Sequence, residues 1–358
     1  MGKVNHRPAH CRRRTPTRRL LSALLVACFI PLVGCDSGAA RHPDSPDGWH
    51  RPLAAPSVPV PKNSVPAAVH TDAVLPTVSG RFGSPATISV PKTVPSGKFV
   101  LAPQTQGRGR SARTGDVVVV RCTAKVWRTG KALPSSYDKG AHPQVFAVGR
   151  GATLPALDQA VQGQRAGSRV LVVAPPAAAY GTTGSAQLGV SGNDTIVYAV
   201  DILNVIGAQE IVPGYQGPVP SKLPKIHMNK DDGTATVTVP DRVAPTSLTV
   251  RNLVDGSGPV VKTGQTLVLQ YSSAAWGTAR GEGEADLFLS SRADGSPLSV
   301  VIGRGNVIDG WDRALVGRRV GSRVLAVIPP KWAYGPHPPK SLAPGTAVVS
   351  VLDILAAV

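Results

Sequence analysis

The residues best placed to do chemistry lie in the stretch GRGNVIDGWDRALVG, from Gly303 to Gly317. Four apolar side chains recur there at helical spacing: Val307, Ile308, Trp311 and Leu315. A short helix with one apolar face buries that face, so Trp311 is predicted to point toward a sheet and form the floor between helix and sheet. The eight histidines are scattered, and none forms a ligand cluster with a second His or Cys. The pattern therefore favours an apolar binding pocket and no metal site.

The elements that position this stretch are short strands of β-branched residues. Four runs show strand character: Thr266–Trp276, Leu298–Gly303, Arg323–Pro329 and Thr346–Leu355. The helix falls between the second and third of these runs, with Asn306 as its predicted N-cap and Gly317 as its predicted end. One short helix against an antiparallel sheet predicts the α+β fold class.

The same pattern occurs twice. Val148–Gly181 aligns without a gap to Ile302–Gly335, and 18 of the 34 positions are identical. Because Arg, Asp, Tyr and paired prolines all recur at the same positions of the two segments, the similarity indicates a duplication. In the first copy Leu157 stands where the second copy has Trp311.

The motif Gly303–Trp311, followed by Val316–Gly335, resembles the FKBP-type peptidyl-prolyl cis-trans isomerases. The resemblance covers about Ser111–Ile206 and Gly256–Val358. It implies two FKBP-like domains, each an antiparallel half-barrel sheet wrapped round one short helix, with a shallow apolar pocket for a proline ring.

That reaction suits an apolar pocket. Rotation about an amide bond has a barrier of about 18–20 kcal/mol because resonance is lost as the bond twists. No bond is made or broken, so the resemblance implies neither a cofactor nor a metal. A cleft that excludes water favours the twisted, less polar state.

The resemblance assigns catalytic roles to three residues of the second copy: Tyr334, Trp311 and Tyr271. It assigns substrate contacts there to five more: Phe288, Leu298, Val307, Ile308 and His337. Leu289 occupies the position of the family's pocket aspartate, which predicts that Tyr271 lacks its usual carboxylate partner. Pocket phenylalanines are replaced by Leu298 and by either Val349 or Ser350. We therefore expect reduced activity in this copy.

The first copy departs further from the family. Cys122, Leu157 and Leu133 replace pocket aromatics, and either Pro134 or Ser135 stands at the aspartate position. Three predicted substrate contacts remain there: Tyr180, Leu154 and Tyr198. The first copy is therefore predicted to be a binding or scaffold domain, with Cys122 as a small buried apolar residue.

The N-terminus has the features of an export signal. Residues 1–34 contain seven basic residues and no acidic one, and Leu20–Leu32 is apolar but too short to span a membrane. The run ends in LVGC, which resembles a bacterial lipobox and predicts lipidation of Cys35. A Sec signal with an incidental cysteine is the alternative, and Thr17–Leu21 leaves twin-arginine export open.

The predicted organisation has five parts: a lipoprotein signal peptide (1–34), a Pro-rich tether (35–79), a first FKBP-like domain (80–208), a linker (209–222) and a second FKBP-like domain (223–358). We expect a monomer, lipid-anchored on the extracytoplasmic face of the cell membrane. Its expected partners are proline-containing or unfolded exported polypeptides. Despite the net charge of +18, an exported protein is not expected to bind nucleic acid.

The function predicted from the sequence is peptidyl-prolyl isomerisation during extracytoplasmic folding, mainly through the second domain. Two alternatives stay open: a non-catalytic chaperone or peptide-binding adaptor, and an interaction protein that recognises one envelope partner. Leu289 favours the non-catalytic chaperone or adaptor. Retention of Trp311, Tyr334 and the Val307–Ile308 pair favours the enzyme.

Overall fold

The computed structural model describes residues 66–69, 74–280 and 283–358. The predicted signal peptide and Cys35 lie outside these residues, as does most of the predicted tether. None of the helices within the described ranges has the length and apolar character needed to cross a membrane.

The first domain is an antiparallel sheet packed on one helix. Its elements are β1 (Thr77–Ser79), β2 (Thr87–Ser89), β3 (Val100–Thr105), β4 (Val117–Val126), β5 (Ala132–Leu133), β6 (Gln144–Ala147), α1 (Pro155–Val161), β7 (Arg169–Ala174) and β8 (Ile196–Ile206). The main sheet has the order β3-β7-β8-β4-β5, and β6 also pairs with β4. Strands β1 and β2 form a separate hairpin.

The second domain repeats this plan. Its elements are β9 (Lys225–Met228), β10 (Ala235–Thr238), β11 (Thr249–Val254), β12 (Thr266–Arg280), β13 (Glu284–Ser290), β14 (Leu298–Val301), α2 (Asp309–Leu315), β15 (Arg323–Ile328) and β16 (Val348–Ala357). The sheet has the order β11-β15-β16-β12-β13-β10-β9, with β14 also paired to β12. Two half-barrel sheets, each with one short helix, confirm the predicted fold class.

Alternation along the strands divides each sheet into two faces. In β16, Val348 and Leu352 belong to the core under helix α2, whereas Val349 and Val351 belong to a separate core on the outer face. Trp311 is only 5% exposed and lies in the core under the helix. The helix therefore turns its tryptophan toward the sheet, as its apolar spacing predicts.

The start of α2 differs from the prediction. The residue that flanks its first turn is Ile308, and no side chain caps the helix. The predicted cap, Asn306, instead donates to the carbonyl of Val301 at 3.3 Å. The Asp312 carboxylate orders the preceding loop, because it accepts from the N–H groups of Gly303 and Gly305.

The end of α2 agrees with the prediction. Gly317 follows the last turn with a φ of +85°, a left-handed conformation that glycine adopts without steric cost.

A hairpin covers the outer face of each sheet. In the first domain Ile88 of β2 packs in one core with Leu171 of β7. In the second, Val237 of β10 packs with Leu325 of β15. Both hairpins precede the main strands of their domains in the chain. Because the helix covers one face of each sheet and the hairpin covers the other, each sheet is buried on two faces.

Matching tryptophans anchor these hairpin segments. Trp127 Nε1 donates to the carbonyl of Thr93 at 2.8 Å, and Trp276 Nε1 donates to that of Arg242 at 2.9 Å. The two donors are 149 residues apart in the chain, and so are the two acceptors. The repeated unit therefore includes the hairpin, which lies well before the aligned segments Val148–Gly181 and Ile302–Gly335 in each copy.

Each outer face also buries one ion pair. Arg169 contacts Asp201 through Nε and Nη2 at 2.6 and 2.7 Å, and Arg323 contacts Asp353 in the same way at the same distances. Two parallel hydrogen bonds match the flat guanidinium to the carboxylate, which makes burial of both charges tolerable.

Candidate functional site

The predicted site residues of the second domain meet between α2 and the sheet. Trp311 of α2 and Tyr271 of β12 lie with ring centroids 5.3 Å apart. Phe288 of β13 and Tyr334, which follows a turn of 3₁₀-helix, meet edge to face at 6.2 Å. Tyr271 and Trp311 are buried, whereas Phe288 and Tyr334 are half-buried. The arrangement is an apolar depression with a deep floor and an accessible aromatic rim.

The remaining predicted contacts surround this aromatic group, with one exception. Val307 and Ile308 are buried just ahead of α2, and Leu298 of β14 is half-buried against the same core. His337 lies on an exposed loop, where its N–H donates to the carbonyl of Tyr334 at 3.1 Å.

Tyr271 has a carboxylate partner, contrary to the prediction. Its hydroxyl donates to Asp294 Oδ2 at 2.6 Å. Leu289, at the position of the family's aspartate, packs as an apolar side chain against the core under the helix. The carboxylate has therefore moved from the strand to the loop between β13 and β14, five residues further along the chain.

The surroundings keep both pocket hydroxyls protonated at neutral pH. Burial raises the pKa of Tyr271 above its ordinary value, and the hydrogen bond to Asp294 raises it further. Burial raises the pKa of Tyr334 to about 12. Tyr334 is therefore a neutral hydroxyl that can donate to a carbonyl oxygen at the pocket rim.

The floor of the pocket is polar on its far side. Trp311 Nε1 donates to Ser350 Oγ at 3.0 Å, and Ser350 Oγ lies 2.8 Å from Ser273 Oγ. Val349 belongs to the core on the outer face. The alignment leaves Val349 and Ser350 as alternatives for the pocket position on the last strand. Ser350 is the one that faces the tryptophan.

Two of these residues have no clear signal in the sequence. Asp294 lies in an ADG turn, and only the path of the loop brings its carboxylate to Tyr271. Ser273 is one of several small residues on β12, and its role follows from its register opposite Ser350.

The first domain has a differently filled centre. Tyr198 of β8 pairs with Val172 as Ser350 pairs with Ala326, so Tyr198 occupies the position of Ser350. Tyr198 and Leu157 are each 3% exposed and share one core. A large residue on the last strand thus accompanies the loss of the tryptophan.

The rim of the first domain keeps two of its predicted contacts. Leu154 and Tyr180 are half-buried against the same core. Cys122 is 2% exposed, in agreement with its prediction as a buried residue.

Two structural comparisons of the domains give neighbouring residues at the aspartate position of the first domain. The Cys122 N–H donates to Ser136 Oγ at 2.7 Å, as the Tyr271 N–H donates to Ser291 Oγ at 2.9 Å, and counting back two residues from each serine gives Pro134 as the equivalent of Leu289. Strand pairing gives Leu133, which lies opposite Ala124 as Leu289 lies opposite Ser273. Both comparisons place a residue without a carboxylate there.

Comparison with known proteins identifies the family. The family model for the FKBP-type peptidyl-prolyl cis-trans isomerase matches residues 108–203 and 258–350, one stretch in each domain. The matched residues make up more than half of the chain. This protein therefore belongs to the FKBP-type peptidyl-prolyl isomerase family and carries two tandem FKBP domains.

Individual relatives match parts of the chain. An FK506-binding protein of Streptomyces anulatus is 35% identical over 122 residues, which are 34% of this chain and 94% of that protein. The peptidyl-prolyl cis-trans isomerase FKBP9 of Rattus norvegicus is 28% identical over 207 residues, which are 58% of this chain and 29% of that protein. The chain thus spans less than a third of the longer relative.

Two solved structures are also similar. The three FKBP domains of wheat FKBP73 cover 74% of this chain and 96% of theirs, with 19% identity and a TM-score of 0.31. FkpA from Escherichia coli covers 32% of this chain and 51% of its own, with 27% identity and a TM-score of 0.28.

The raised pKa of Tyr334 predicts a loss of stability at high pH. The unfolded state releases this proton near pH 10, whereas the folded state holds it to about pH 12. The free energy of unfolding should therefore fall between those values. Urea unfolding across this pH range measures the fall in free energy. The fall should be shallower in Tyr334→Phe, and part of it should persist because the pKa of Tyr271 is also raised in the folded state. An equal slope in both proteins would contradict the burial of this hydroxyl.

Proposed function

We propose that the second domain catalyses cis-trans isomerisation of peptidyl-prolyl bonds. The observation that carries the proposal is the pocket of Trp311, Tyr334 and Tyr271, completed by the carboxylate of Asp294. This pocket offers an apolar floor for a ring, a neutral hydroxyl at the rim and a hydroxyl–carboxylate pair beside the floor.

The chemistry follows from these groups. The proline ring lies on Trp311, and the apolar walls of Val307 and Ile308 exclude water from the preceding amide. The planar amide loses solvation there, while the twisted amide has less charge separation and loses less. The Tyr334 hydroxyl donates to a carbonyl of the bound peptide and holds it in place. Binding that improves as the amide twists lowers the barrier.

The first domain is proposed to serve as a scaffold or binding domain. Its centre carries Leu157 in place of the tryptophan and fills the neighbouring position with Tyr198. Tyr180 and Leu154 leave a half-buried apolar rim that could hold a segment without catalysing its isomerisation.

The setting of the activity is proposed from the N-terminal sequence. Residues 1–34 support export, and LVGC supports a lipid anchor at Cys35 on the outer face of the cell membrane. Exported polypeptides that contain proline are then the proposed substrates, and their folding is the proposed process.

Non-catalytic binding is the second candidate function. Ser350 and Leu298 replace aromatic walls of the family pocket, and a wider pocket grips the proline ring less tightly. A peptide-binding adaptor or chaperone needs the apolar floor and does not need stabilisation of the twisted amide.

A matched pair of tyrosine variants tests the proposal. Tyr334→Phe and Tyr180→Phe remove equivalent hydroxyls from the second and first domains. We expect the protein to accelerate relaxation of a Leu-Pro peptide, and Tyr334→Phe to lower kcat/KM by about fivefold, the value of one ordinary hydrogen bond. Tyr180→Phe should leave kcat/KM unchanged.

The other outcomes separate the candidates. Equal losses in both variants would contradict the assignment to the second domain. Peptide binding without any acceleration would replace the enzyme by the binding function.

A further inference from the structure

We propose that the first domain positions the pocket of the second domain by holding the loop Ser291–Pro297, here called the pocket loop. The inference rests on the proposed function, because the pocket loop carries the carboxylate that binds the hydroxyl of Tyr271. Three sets of contacts reach this loop from the first domain and from the residues that follow it.

The first contact is direct. Arg150 Nη2, in the first domain, donates to the carbonyl of Gly295 at 3.0 Å, and Gly295 adjoins Asp294. The two domains also touch through their backbones: a Cβ on Gly115 would lie 2.8 Å from the carbonyl oxygen of Gly295. Gly115 has a φ of +89°, so glycine suits this position for both reasons.

The second contact is a series of hydrogen bonds through Ala208. Its N–H donates to Asp116 of the first domain at 2.8 Å, and its carbonyl accepts from Gln270 Nε2 of the second at 2.7 Å. Ser291 Oγ bonds the amide oxygen of the same Gln270 and accepts from the Tyr271 N–H at 2.9 Å. The start of the pocket loop is thereby tied to the first domain and to the pocket tyrosine at once.

The third contact holds the loop two residues before its carboxylate. Arg292 Nη1 donates to Gln209 Oε1 at 2.7 Å, and Arg292 Nη2 donates to the carbonyl of Glu210 at 3.1 Å. Glu210 also lies 3.5 Å from Arg110 of the first domain. The connecting residues therefore bridge the first domain and the pocket loop.

An apolar cluster fixes the two domains against each other. Val117, Val119 and Ile206 of the first domain are buried together with Val268 of the second. Val268 lies on β12, three residues before Tyr271. The polar contacts to the pocket loop thus form beside a packed interface that limits relative movement of the domains.

Relocation of the carboxylate explains why the loop needs this support. A carboxylate at position 289 would sit on a strand whose backbone the sheet already holds. Asp294 instead lies exposed on a loop outside the strands, and fixing such a segment costs conformational entropy. Contacts at Ser291, Arg292 and Gly295 order the backbone on both sides of the aspartate. The first domain, with its altered pocket, thereby contributes to the pocket of its neighbour.

A pair of arginine variants tests this proposal in the complete protein. Arg150→Ala removes the contact to Gly295, whereas Arg304→Ala removes the equivalent exposed arginine of the second GRG motif and serves as the control. We expect Arg150→Ala to lower kcat/KM for a Leu-Pro peptide by about threefold to tenfold, the range for one hydrogen bond. Amide hydrogen exchange over residues 291–297 should become faster. Arg304→Ala should change neither quantity.

A double-mutant cycle tests whether Arg150 acts through the carboxylate. Because Asp294→Ala removes the group that Arg150 positions, adding Arg150→Ala should cause little further loss of kcat/KM. Additive losses would overturn the proposal, as would unchanged exchange in Arg150→Ala. If the wild-type protein shows no catalysis, the proposed function fails, and the exchange rates still decide whether the first domain orders the loop.

Discussion

Trp311→Leu should abolish most of the catalysis, with a loss of kcat/KM of at least about tenfold. The side chain is 5% exposed, lies against the inclined ring of Tyr271 and donates to Ser350, so its removal opens the floor on which a proline ring would lie. The unfilled space should also cost about 2–5 kcal/mol of unfolding free energy. Peptide relaxation measures the first effect and urea unfolding the second.

The first copy of the repeat supplies the means to separate these two effects. It combines Leu157 with Tyr198 at the positions of Trp311 and Ser350. The double variant Trp311→Leu with Ser350→Tyr recreates that combination in the second domain. We expect it to recover a large part of the lost stability and none of the activity. Recovery of activity together with stability would show that Trp311 serves packing alone.

A tryptophan outside the pocket provides the control. Trp276 lies on the outer face and anchors the hairpin segment through Arg242. Trp276→Phe should lower the unfolding free energy while leaving kcat/KM of the folded protein unchanged.

Arg323→Met should lower the unfolding free energy of the second domain by about 3–5 kcal/mol. Arg323 and Asp353 are 5% and 3% exposed in their side chains, and the variant leaves the carboxylate buried without its cation. The double variant Arg323→Met with Asp353→Leu should recover most of the loss, because it removes both charges. Urea unfolding followed by amide exchange on each sheet assigns the change to a domain.

The first domain provides a matched pair with a different expected outcome. Arg169 donates to the carbonyls of Gly80, Arg81 and Ser84 in the hairpin turn as well as to Asp201. The double variant Arg169→Met with Asp201→Leu leaves those carbonyls without their donor. It should therefore recover less stability than the pair in the second domain. Equal recovery would mean that the contacts to the turn contribute little.

The sequence was sufficient for the fold and most of the pocket because both rest on repeated patterns. Strand alternation and one apolar helical face predicted the α+β layers, and Trp311 points where that face predicts. The resemblance to the family placed Tyr271, Tyr334 and Phe288 within one aromatic group.

The errors arose where loops decide the contacts. The local sequence predicts a helix cap at Asn306, but Asp312 reaches back to the loop from within the helix and orders it instead. Alignment predicts no carboxylate partner for Tyr271 because it compares positions along the chain, whereas the path of a loop brings Asp294 to the tyrosine.

The sequence does not predict the outer hairpins, for a related reason. Strands β1, β2, β9 and β10 contain three or four residues each, too few for a clear alternating pattern. The similarity between Ala86–Pro91 and Ala235–Pro240 becomes evident once the two tryptophan anchors are superimposed.

The two hairpins differ in how they join their sheets. The offset between the copies grows from 149 residues at the anchoring tryptophans to 155 at Ser136 and Ser291, so the second copy carries six additional residues in between. They lie where β12 and β13 extend far enough for β13 to pair with β10. In the second domain the cover is thus joined to the sheet by a backbone ladder, whereas in the first it is held to the sheet through side chains such as Trp127 and Arg169. The first cover can separate from the main sheet without breaking any of its backbone ladders. Six residues thus determine whether the outer layer opens separately or only with the sheet to which it is hydrogen-bonded.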